Sequence, residues 1–158
     1  MKKTASILAM LAIGLGMAAP LTSCSDNDDK PSAPAAKSVE GTYTGDMSCT
    51  VMGSESAFED ITFTVTATDD ATVSVAIPSF GNPPMQVPQM TVAGVKVSGE
   101  DGSYALASTE FNGTIDGDKT YSGTLHGTAA DKAVTIEFSL QYGAMPMPMI
   151  CRFTSSAK

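Results

Sequence analysis

A row of sulfur-containing side chains lies near the end of this sequence, and its chemistry comes first. Met145, Met147, Met149 and Cys151 occupy alternate positions. Thioether and thiolate sulfurs are soft ligands that suit monovalent copper, so the row permits a metal-binding interpretation. Alternate methionines also suit the inside of a β-structure, where the flexible thioether fills irregular gaps. We favour this second interpretation and predict neither a metal ion nor a cofactor.

Residues with acid, base or nucleophilic chemistry form no recognisable catalytic set. His126 is the only histidine, and the alternation of its segment places it on the outer face of a strand. Acidic residues cluster at predicted turns, as in Asp69–Asp70 and Asp116–Asp118, but their spacing matches no calcium-binding loop. No nucleophile elbow and no phosphate-binding glycine loop is present. We therefore predict a protein that is not an enzyme.

The first 23 residues have the properties of an export signal. Lys2 and Lys3 give a positive start, and an apolar run follows over residues 7–19. That run is shorter than the roughly 20 apolar residues that a membrane-spanning helix needs. The charged start and short apolar region are typical of a secretory signal peptide over residues 1–23.

The sequence Leu21-Thr22-Ser23-Cys24 directly after this region resembles the lipobox of bacterial lipoproteins. The resemblance implies cleavage before Cys24 and acylation of its sulfur and its new amino terminus. Several acyl chains together give stable membrane anchoring without a transmembrane helix. The alternative is a secreted protein in which this cysteine occurs by chance.

The acidic run over residues 25–29 resembles the surface-export signal of Bacteroidetes-type lipoproteins. The resemblance implies a lipid-anchored position on the outer face of the outer membrane, with a periplasm-facing position as the alternative.

The charge and composition of the chain limit the classes of molecule that it could bind. The chain has nine basic and seventeen acidic residues. Loss of Lys2 and Lys3 with the signal leaves seven basic residues and a net charge near −10. Such a chain repels nucleic-acid phosphates, so we exclude nucleic acid as a partner. Residues 24–38 are rich in Asp, Ser, Ala and Pro and are predicted to be a disordered linker. One folded domain is then expected over residues 39–158.

Almost every segment after Val39 alternates apolar and polar residues, which indicates strands with one buried face. Strands are predicted over residues 41–52, 59–68, 72–77, 90–98, 104–106, 111–115, 121–125, 134–142 and 145–153. No window has a helical period. Short strands joined by tight turns favour an all-β, eight-stranded antiparallel up-and-down barrel, and a two-sheet sandwich is the alternative. Inward glycines at Gly45, Gly113 and Gly123 favour the barrel, because tight curvature requires small residues.

The opening Val39-Glu40-Gly41-Thr42-Tyr43-Thr44-Gly45, the closing segment 142–150 and the lipobox resemble the calycin-like lipoprotein domain of gut-type Bacteroidetes. This resemblance covers residues 39–155 and implies a lipocalin-like barrel. Lipocalins have a Gly-x-Trp motif and a helix after the last strand, whereas this chain has no Trp and no such helical segment. The ligand chemistry of lipocalins is therefore not carried over to individual residues.

Two further cysteines, Cys49 and Cys151, lie on the apolar faces of the first and last predicted strands. Closure of a barrel brings these two strands together, and exported proteins meet an oxidising compartment. We predict a disulfide between them, and two separate buried thiols are the alternative.

The functional hypothesis follows from the fold, because an eight-stranded barrel can be wide enough for one small ligand. We expect a monomer that binds a small apolar molecule in its interior, with the loop over residues 80–85 at the mouth. The alternative is a surface module that recognises a protein or glycan with its loops while side chains fill the interior. The predicted pocket residues are Tyr43, Met47, Phe63, Phe111, Tyr121, Phe138, Met147 and Met149.

Overall fold

The structure, a computed structural model, describes residues 33–115 and 117–155. These residues form one short helix and eight antiparallel strands that close into a barrel in chain order, which confirms the predicted barrel over the sandwich. The predicted signal peptide, Cys24 and most of the predicted linker lie outside the described residues. The elements are α1 (Ala35–Val39), β1 (Gly41–Val51), β2 (Ser54–Ala67), β3 (Thr72–Ile77), β4 (Met90–Glu100), β5 (Ser103–Ile115), β6 (Lys119–Ala130), β7 (Ala133–Tyr142) and β8 (Met149–Ser155).

Two-residue turns link three of the strand pairs. Met52–Gly53, Asp101–Gly102 and Asp131–Lys132 each have positive φ at both positions. This is the backbone of a type I′ turn, whose twist matches that of the flanking strands. Such short links force consecutive strands to pair, so the connections alternate between the two ends of the barrel. The longer connections, over residues 78–89 and 143–148, both lie at the end where β1 turns into β2.

Register shifts change the inward alternation at three places. In β4, strict alternation predicts that Ala93 points inward together with Val95 and Val97. Ala93 and Gly94 are instead both exposed, while Val92 and Val95 are buried. The register of β3 with β4 shows one extra residue at this point, which is a β-bulge, and Gly94 has a φ of 77°. A similar shift after Leu106 lets β5 run unbroken to Ile115, which is why the barrel has eight strands and not nine.

The strand β8 begins later than predicted. Its first residue is Met149, because Pro146 and Pro148 lack the backbone N–H that a central ladder needs. Met147 therefore lies in the irregular β7–β8 connection, where it is 51% exposed. The prediction that Met147 points into the barrel was wrong for this reason.

The seam between β1 and β8 closes the barrel. Cys49 lies directly opposite Cys151 in this antiparallel pair, and the two form a disulfide with Cα atoms 4.1 Å apart. The predicted bridge is therefore confirmed. It joins the first and last strands across 102 positions of sequence.

Aromatic rings fill the middle of the barrel. Phe63 stacks on Phe153 with ring centroids 4.3 Å apart, and Phe138 lies against Phe63 at 6.1 Å. All three are buried among the valine, leucine and isoleucine side chains that the other strands contribute. This packing leaves the centre of the barrel filled, as expected for a protein interior.

The helix α1 lies against the barrel end opposite the β1–β2 turn. Ala36 and Val39 are buried, and the backbone N–H of Ala36 donates to the carbonyl of Asp70 in the β2–β3 turn at 3.2 Å. Most of α1 lies in the segment that the sequence analysis assigned to the end of the linker. Its five residues are too few to show a helical period in the sequence. In the part of the chain that the structure describes, no helix has the length and apolar character to cross a bilayer.

Gly45 is expected to be intolerant of a side chain because it packs against the backbone of β8. A Cβ atom at this position would meet the carbonyl of Thr154 and lie 2.6 Å from Cα of Ser155. We expect Gly45→Ala to lower the free energy of unfolding by about 1–3 kcal/mol, the range for overpacked interiors. Urea unfolding followed by circular dichroism measures this loss.

Gly41 in the same strand is the matched control. A Cβ atom there would lie 3.8 Å from the ring of Tyr43, an ordinary van der Waals distance. Gly41→Ala should therefore change stability by less than about 0.5 kcal/mol. Equal stability of the two variants would contradict the close approach of β1 and β8 at Gly45.

Candidate functional site

An open cup lies at the end of the barrel where the β1–β2, β3–β4, β5–β6 and β7–β8 connections meet. Its volume is about 1160 Å³, which exceeds the roughly 300–1,000 Å³ of most small-molecule sites. The β1–β2 hairpin and the β3–β4, β5–β6 and β7–β8 connections each contribute residues to its wall. The lining residues are Cys49, Val51, Ser54, Ser56, Ala57, Phe58, Phe80, Gly81, Asn82, Pro84, Met85, Gln86, Val87, Asp118, Lys119, Thr120, Tyr142, Gly143, Ala144, Met145 and Met149.

Small side chains on the β1–β2 hairpin leave the space that forms the cup. Residues that face each other across two strands point to the same side of the sheet. Cys49 faces Ser56 and Val51 faces Ser54, and all four line the cup. Further down the same strands the inward positions carry large residues such as Phe63, which fill the barrel. The change from large to small inward residues therefore sets the depth of the cup.

Phe80 forms the floor between the cup and the packed centre. Phe80 and Val87 exchange backbone hydrogen bonds of 3.1 and 2.9 Å, which draw the β3–β4 connection across the barrel end. The Phe80 ring packs edge-on against Phe58 at 5.7 Å and against Phe138 at 6.3 Å. The predicted mouth loop over residues 80–85 does lie at the cup, with Asn82, Pro84 and Met85 in its wall.

The opposite wall is built by the β5–β6 and β7–β8 connections. The backbone N–H of Gly143 donates to the carbonyl of Thr120 at 2.8 Å, which ties the β7–β8 connection to the start of β6. The side-chain amide of Gln141 donates to the carbonyl of Met145. The Lys119 ammonium lies 6.0 Å from the centroid of the Tyr142 ring, within the range of a cation–π contact.

The eight residues predicted from alternation to line a pocket lie mostly elsewhere. Met149 lines the cup. Met47, Phe63 and Phe138 are packed in the barrel centre, so they fill the interior and do not surround a cavity. Inward orientation was predicted correctly for these three side chains, but orientation alone does not reveal which inward positions face empty space.

Two of the other predicted pocket residues pack against each other on the β5–β6 hairpin. The rings of Phe111 and Tyr121 lie 6.2 Å apart. Tyr121 faces Gly113 and Phe111 faces Gly123 across the two strands, so each ring covers the space beside a glycine. Neither residue lines the cup, and their role is to cover the backbone where the barrel curves.

Tyr43 lies at the other end of the barrel, beside α1. Its hydroxyl donates to the carbonyl of Val39 at 2.8 Å, and partial burial raises the pKa of Tyr43 above its ordinary value. Tyr43 lines a smaller cavity of about 460 Å³ together with residues of the β4–β5 and β6–β7 turns. The hydrogen bond fixes the end of α1 on the barrel, so we assign Tyr43 a structural role.

His126 points outward, as predicted, and belongs to an exposed row of charges. It lies 3.1 Å from Glu137 on β7, and Glu137 lies 3.0 Å from Arg152 on β8. Exposed pairs of this kind contribute little to stability. Within residues 33–115 and 117–155 there is no group of three or more His, Cys, Asp or Glu side chains that could hold a metal ion.

The sequence analysis missed most of the cup wall. Ser54 and Ser56 lie before the predicted start of the second strand, because the stretch 53–60 is polar and lacks an apolar alternation. The only sequence feature that could have indicated these two serines is the length of chain between the first two predicted strands, which had to pair as a hairpin. Tyr142 was recognised as a strand residue, but its place at the cup depends on the β7–β8 connection.

Comparison with known proteins agrees with this architecture. A solved structure of a candidate outer membrane protein from Bacteroides fragilis superimposes with a TM-score of 0.67 at 24% sequence identity. The similarity covers 78% of this chain and 53% of that chain, so the present chain spans about half the length of its neighbour. No curated protein is similar enough to count as a match. The family model of the calycin-like beta-barrel domain matches residues 39–156, and the chain belongs to this family.

Proposed function

We propose that this protein is a non-catalytic, lipid-anchored protein of the cell envelope that binds a small, mainly apolar molecule in the cup. The observation that supports the proposal is a cavity of about 1160 Å³ above an ordered apolar floor. The ligand in this proposal lies above Phe80, in the cup, and not in the centre of the barrel that the sequence analysis favoured. The centre is filled by Phe63, Phe138 and Phe153.

The lining chemistry supports a ligand with a large apolar surface and a few polar groups. Phe58, Phe80, Val87 and Met149 provide apolar contacts near the floor. Serine, asparagine and glutamine side chains around the wall provide hydrogen bonds that orient a ligand, as in most small-molecule sites. Asp118 and Lys119 are the charged residues among those lining the cup.

The same lining does not support catalysis. No histidine lines the cup, and His126 contacts Glu137 on the outer surface of the barrel. The hydroxyls of Ser54 and Ser56 therefore have no imidazole beside them to act as a general base. The proposal of a binding protein, and not an enzyme, rests on this comparison of the side chains around the cavity.

The chain enters the described domain on the side away from the cup. The described domain begins at Ala33, and α1 follows at once on the barrel end opposite the cup. A lipid anchor at Cys24 would therefore join the domain at the end away from the cup. The candidate outer membrane protein with the same fold is a further reason to propose an envelope location. We favour the outer face of the outer membrane because of the acidic residues after Cys24.

A second candidate function is docking of a protein or glycan on the rim of the cup. Large apolar side chains are exposed there on three connections: Met52 (71%), Met85 (69%) and Met147 (51%). Ile150, at the start of β8, adds a fourth exposed apolar residue at the same end. Exposed apolar groups concentrated at one end of a domain are typical of an interaction surface.

Ligand binding in the cup is tested by filling it. We expect the apolar fluorescent dye ANS to bind the purified protein, and Ser56→Trp to weaken this binding about tenfold or more. The indole ring would occupy space next to Phe58, and a tenfold loss corresponds to about 1.4 kcal/mol. Fluorescence titration at constant temperature measures the affinity.

Ser122→Trp is the matched control, since Ser122 is an exposed residue on the outer face of β6 and does not line the cup. Its dye affinity should equal that of the unaltered protein. Equal dye binding by Ser56→Trp and Ser122→Trp would contradict a site in the cup. Met52→Lys distinguishes the second candidate function from ligand binding in the cup. It should abolish partner capture on the rim while leaving dye binding intact.

A further inference from the structure

We propose that the edge of β2 beside the cup binds an extended peptide of alternating apolar and basic residues, which joins the sheet as an added strand. The inference rests on the second candidate function, docking of a protein at this end of the barrel, and gives the partner a chemical class and a mode of binding. It does not depend on a small ligand in the cup.

Strand β2 has a neighbouring strand on only one side over much of its length. It has 14 residues, whereas β3 has 6 and is followed by Pro78, which has no N–H to continue a ladder. On the β1 side, β2 pairs from Ser54 onward, but on the β3 side its first paired residue is Thr64. Among the described residues, no turn or loop hydrogen bond of the backbone involves residues 54–63. The β3 side of this stretch is therefore an open sheet edge.

The geometry of the β1–β2 turn determines which backbone groups point to this edge. The two residues that flank a two-residue hairpin turn form a hydrogen-bonded pair, and bonded and non-bonded pairs then alternate along the ladder. Ser54 directly follows the turn, so Ser54 and Ser56 bond to β1. The N–H and C=O groups of Glu55 and Ala57 consequently point to the open edge. All four residues are exposed, so a partner strand can reach these groups.

The side of the edge that faces the cup favours apolar side chains. Ser54, Ser56 and Phe58 line the cup, and Phe80 and Val87 line it as well. Side chains alternate between the two faces of a strand, and neighbouring strands share these faces. Every second side chain of an added strand would therefore lie on the face of the cup, beside these apolar groups.

The side of the edge away from the cup is acidic. Glu55, Glu59 and Asp60 are exposed and do not line the cup. Residues 54–63 contain no lysine or arginine, and the ion pairs among the described residues involve other carboxylates.

This charge selects the partner. Like charges oppose pairing of two copies of the chain through the same edge, which is one way in which proteins prevent association through open edges. A strand with lysine or arginine at its outward positions is instead attracted, and complementary charge of this kind gives specificity. Backbone hydrogen bonds supply affinity and the alternate side chains supply selectivity, as in other cases of strand addition.

A blocked peptide of the sequence Lys-Val-Lys-Phe-Lys-Val-Lys is the probe, and isothermal titration calorimetry with the purified protein measures its affinity. We expect saturable binding of one peptide. A strand has two hydrogen-bonding edges, and only one of them can face β2. N-methylation of one alternate set of peptide amides should therefore weaken binding at least tenfold, while N-methylation of the other set should have little effect. The two methylated peptides have the same charge and composition, so each controls for the other.

Removal of the acidic groups tests the choice of partner. Glu55→Gln with Glu59→Gln should weaken peptide binding about three- to tenfold at low salt, and this difference should shrink as salt screens the charges. Glu100→Gln with Asp131→Asn is the matched control, because it removes the same charge at the opposite end of the barrel, on the β4–β5 and β6–β7 turns. Its peptide affinity should stay within about twofold of the parent.

Amide hydrogen exchange followed by NMR locates the added strand. Bound peptide should slow exchange at the amides of Glu55 and Ala57 at least tenfold and should change exchange at Ser54 and Ser56 much less, since these already bond to β1. Equal binding of the two methylated peptides, or no added protection at Glu55 and Ala57, would overturn the inference. Protection of these amides in a dimer without peptide would do the same, because the occupant would then be a second copy of the chain. Dye binding without any peptide binding would also overturn it, and would leave the small-ligand function of the cup in place.

Discussion

Replacing Cys49 and Cys151 together by alanine is expected to lower the free energy of unfolding by about 4 kcal/mol. The bridge closes a loop of 102 positions between the first and last strands. In the chain-entropy model a loop of about 100 residues corresponds to ~4.7 kcal/mol, and measured values are usually about 2–4 kcal/mol. Guanidinium unfolding monitored by far-ultraviolet circular dichroism measures the loss.

The size of this effect follows from the topology. Every other strand pair of the barrel joins neighbours in sequence, whereas β1 and β8 must find each other from opposite ends of the domain. The entropy lost on joining two chain segments grows with the length of the loop between them. The disulfide removes much of this cost in the unfolded chain, so the seam should be the contact most dependent on it.

A cross-strand pair on the outer face provides the control. The hydroxyls of Thr44 and Thr62 lie 2.9 Å apart on β1 and β2, and both side chains are in contact with solvent. Changing both to valine should alter stability by less than about 1 kcal/mol, the range for single cross-strand pairs. Reduction of the unaltered protein should reproduce the alanine result. If the variant with both cysteines changed to alanine unfolds at the same guanidinium concentration as the parent, the disulfide does not stabilise the closed barrel.

The seam between β1 and β8 was predictable from the sequence, because it depends only on which face of its strand each residue occupies and on the order of the strands. Cys49 and Cys151 each stand at an inward position of a clearly alternating segment, and hairpin links leave the first and last strands as the two free edges. A sheet with two free edges and strongly twisted strands can close on itself. The bulge at Ala93–Gly94 was not predictable in the same way, since an extra residue in one strand is defined only by the partner strand.

The cup could not be predicted because it is the space that the inward-facing side chains leave empty. Alternation gives the same weight to Phe63, in the packed centre, and to Met149, at the cavity. The floor is made by Phe80, which lies in a proline-rich connection with no strand pattern. Its inward position depends on the bridge to Val87, a contact between loop residues that no local period can show. The short α1 was missed for a related reason, because its position depends on burial of Ala36 and Val39 against the barrel.

These observations divide the barrel into two regions that should respond differently to substitution. The centre is a packed aromatic cluster around Phe63, and the cup above Phe80 is an open cavity. A substitution in the first region should therefore change stability, and one in the second should change ligand affinity.

Phe63→Ala should accordingly lower the free energy of unfolding by about 3–5 kcal/mol, the usual cost of removing a buried aromatic ring. Phe63 is fully buried and stacks on Phe153, so little relaxation can fill the space left behind. The dye affinity of the folded variant should stay within about twofold of the parent, because Phe80 separates Phe63 from the cup. Urea unfolding and dye titration on the same samples measure both quantities.

Phe58→Ala supplies the reverse case. Phe58 is half-buried, lines the cup and packs edge-on against Phe80 at 5.7 Å. Its loss should cost only about 1–2 kcal/mol of stability, less than full burial of a phenylalanine provides, while dye affinity falls markedly. A large loss of dye binding in Phe63→Ala, with the variant still folded, would show that centre and cup form one continuous cavity. The ligand would then reach past Phe80, and the floor would be a movable side chain and not a boundary.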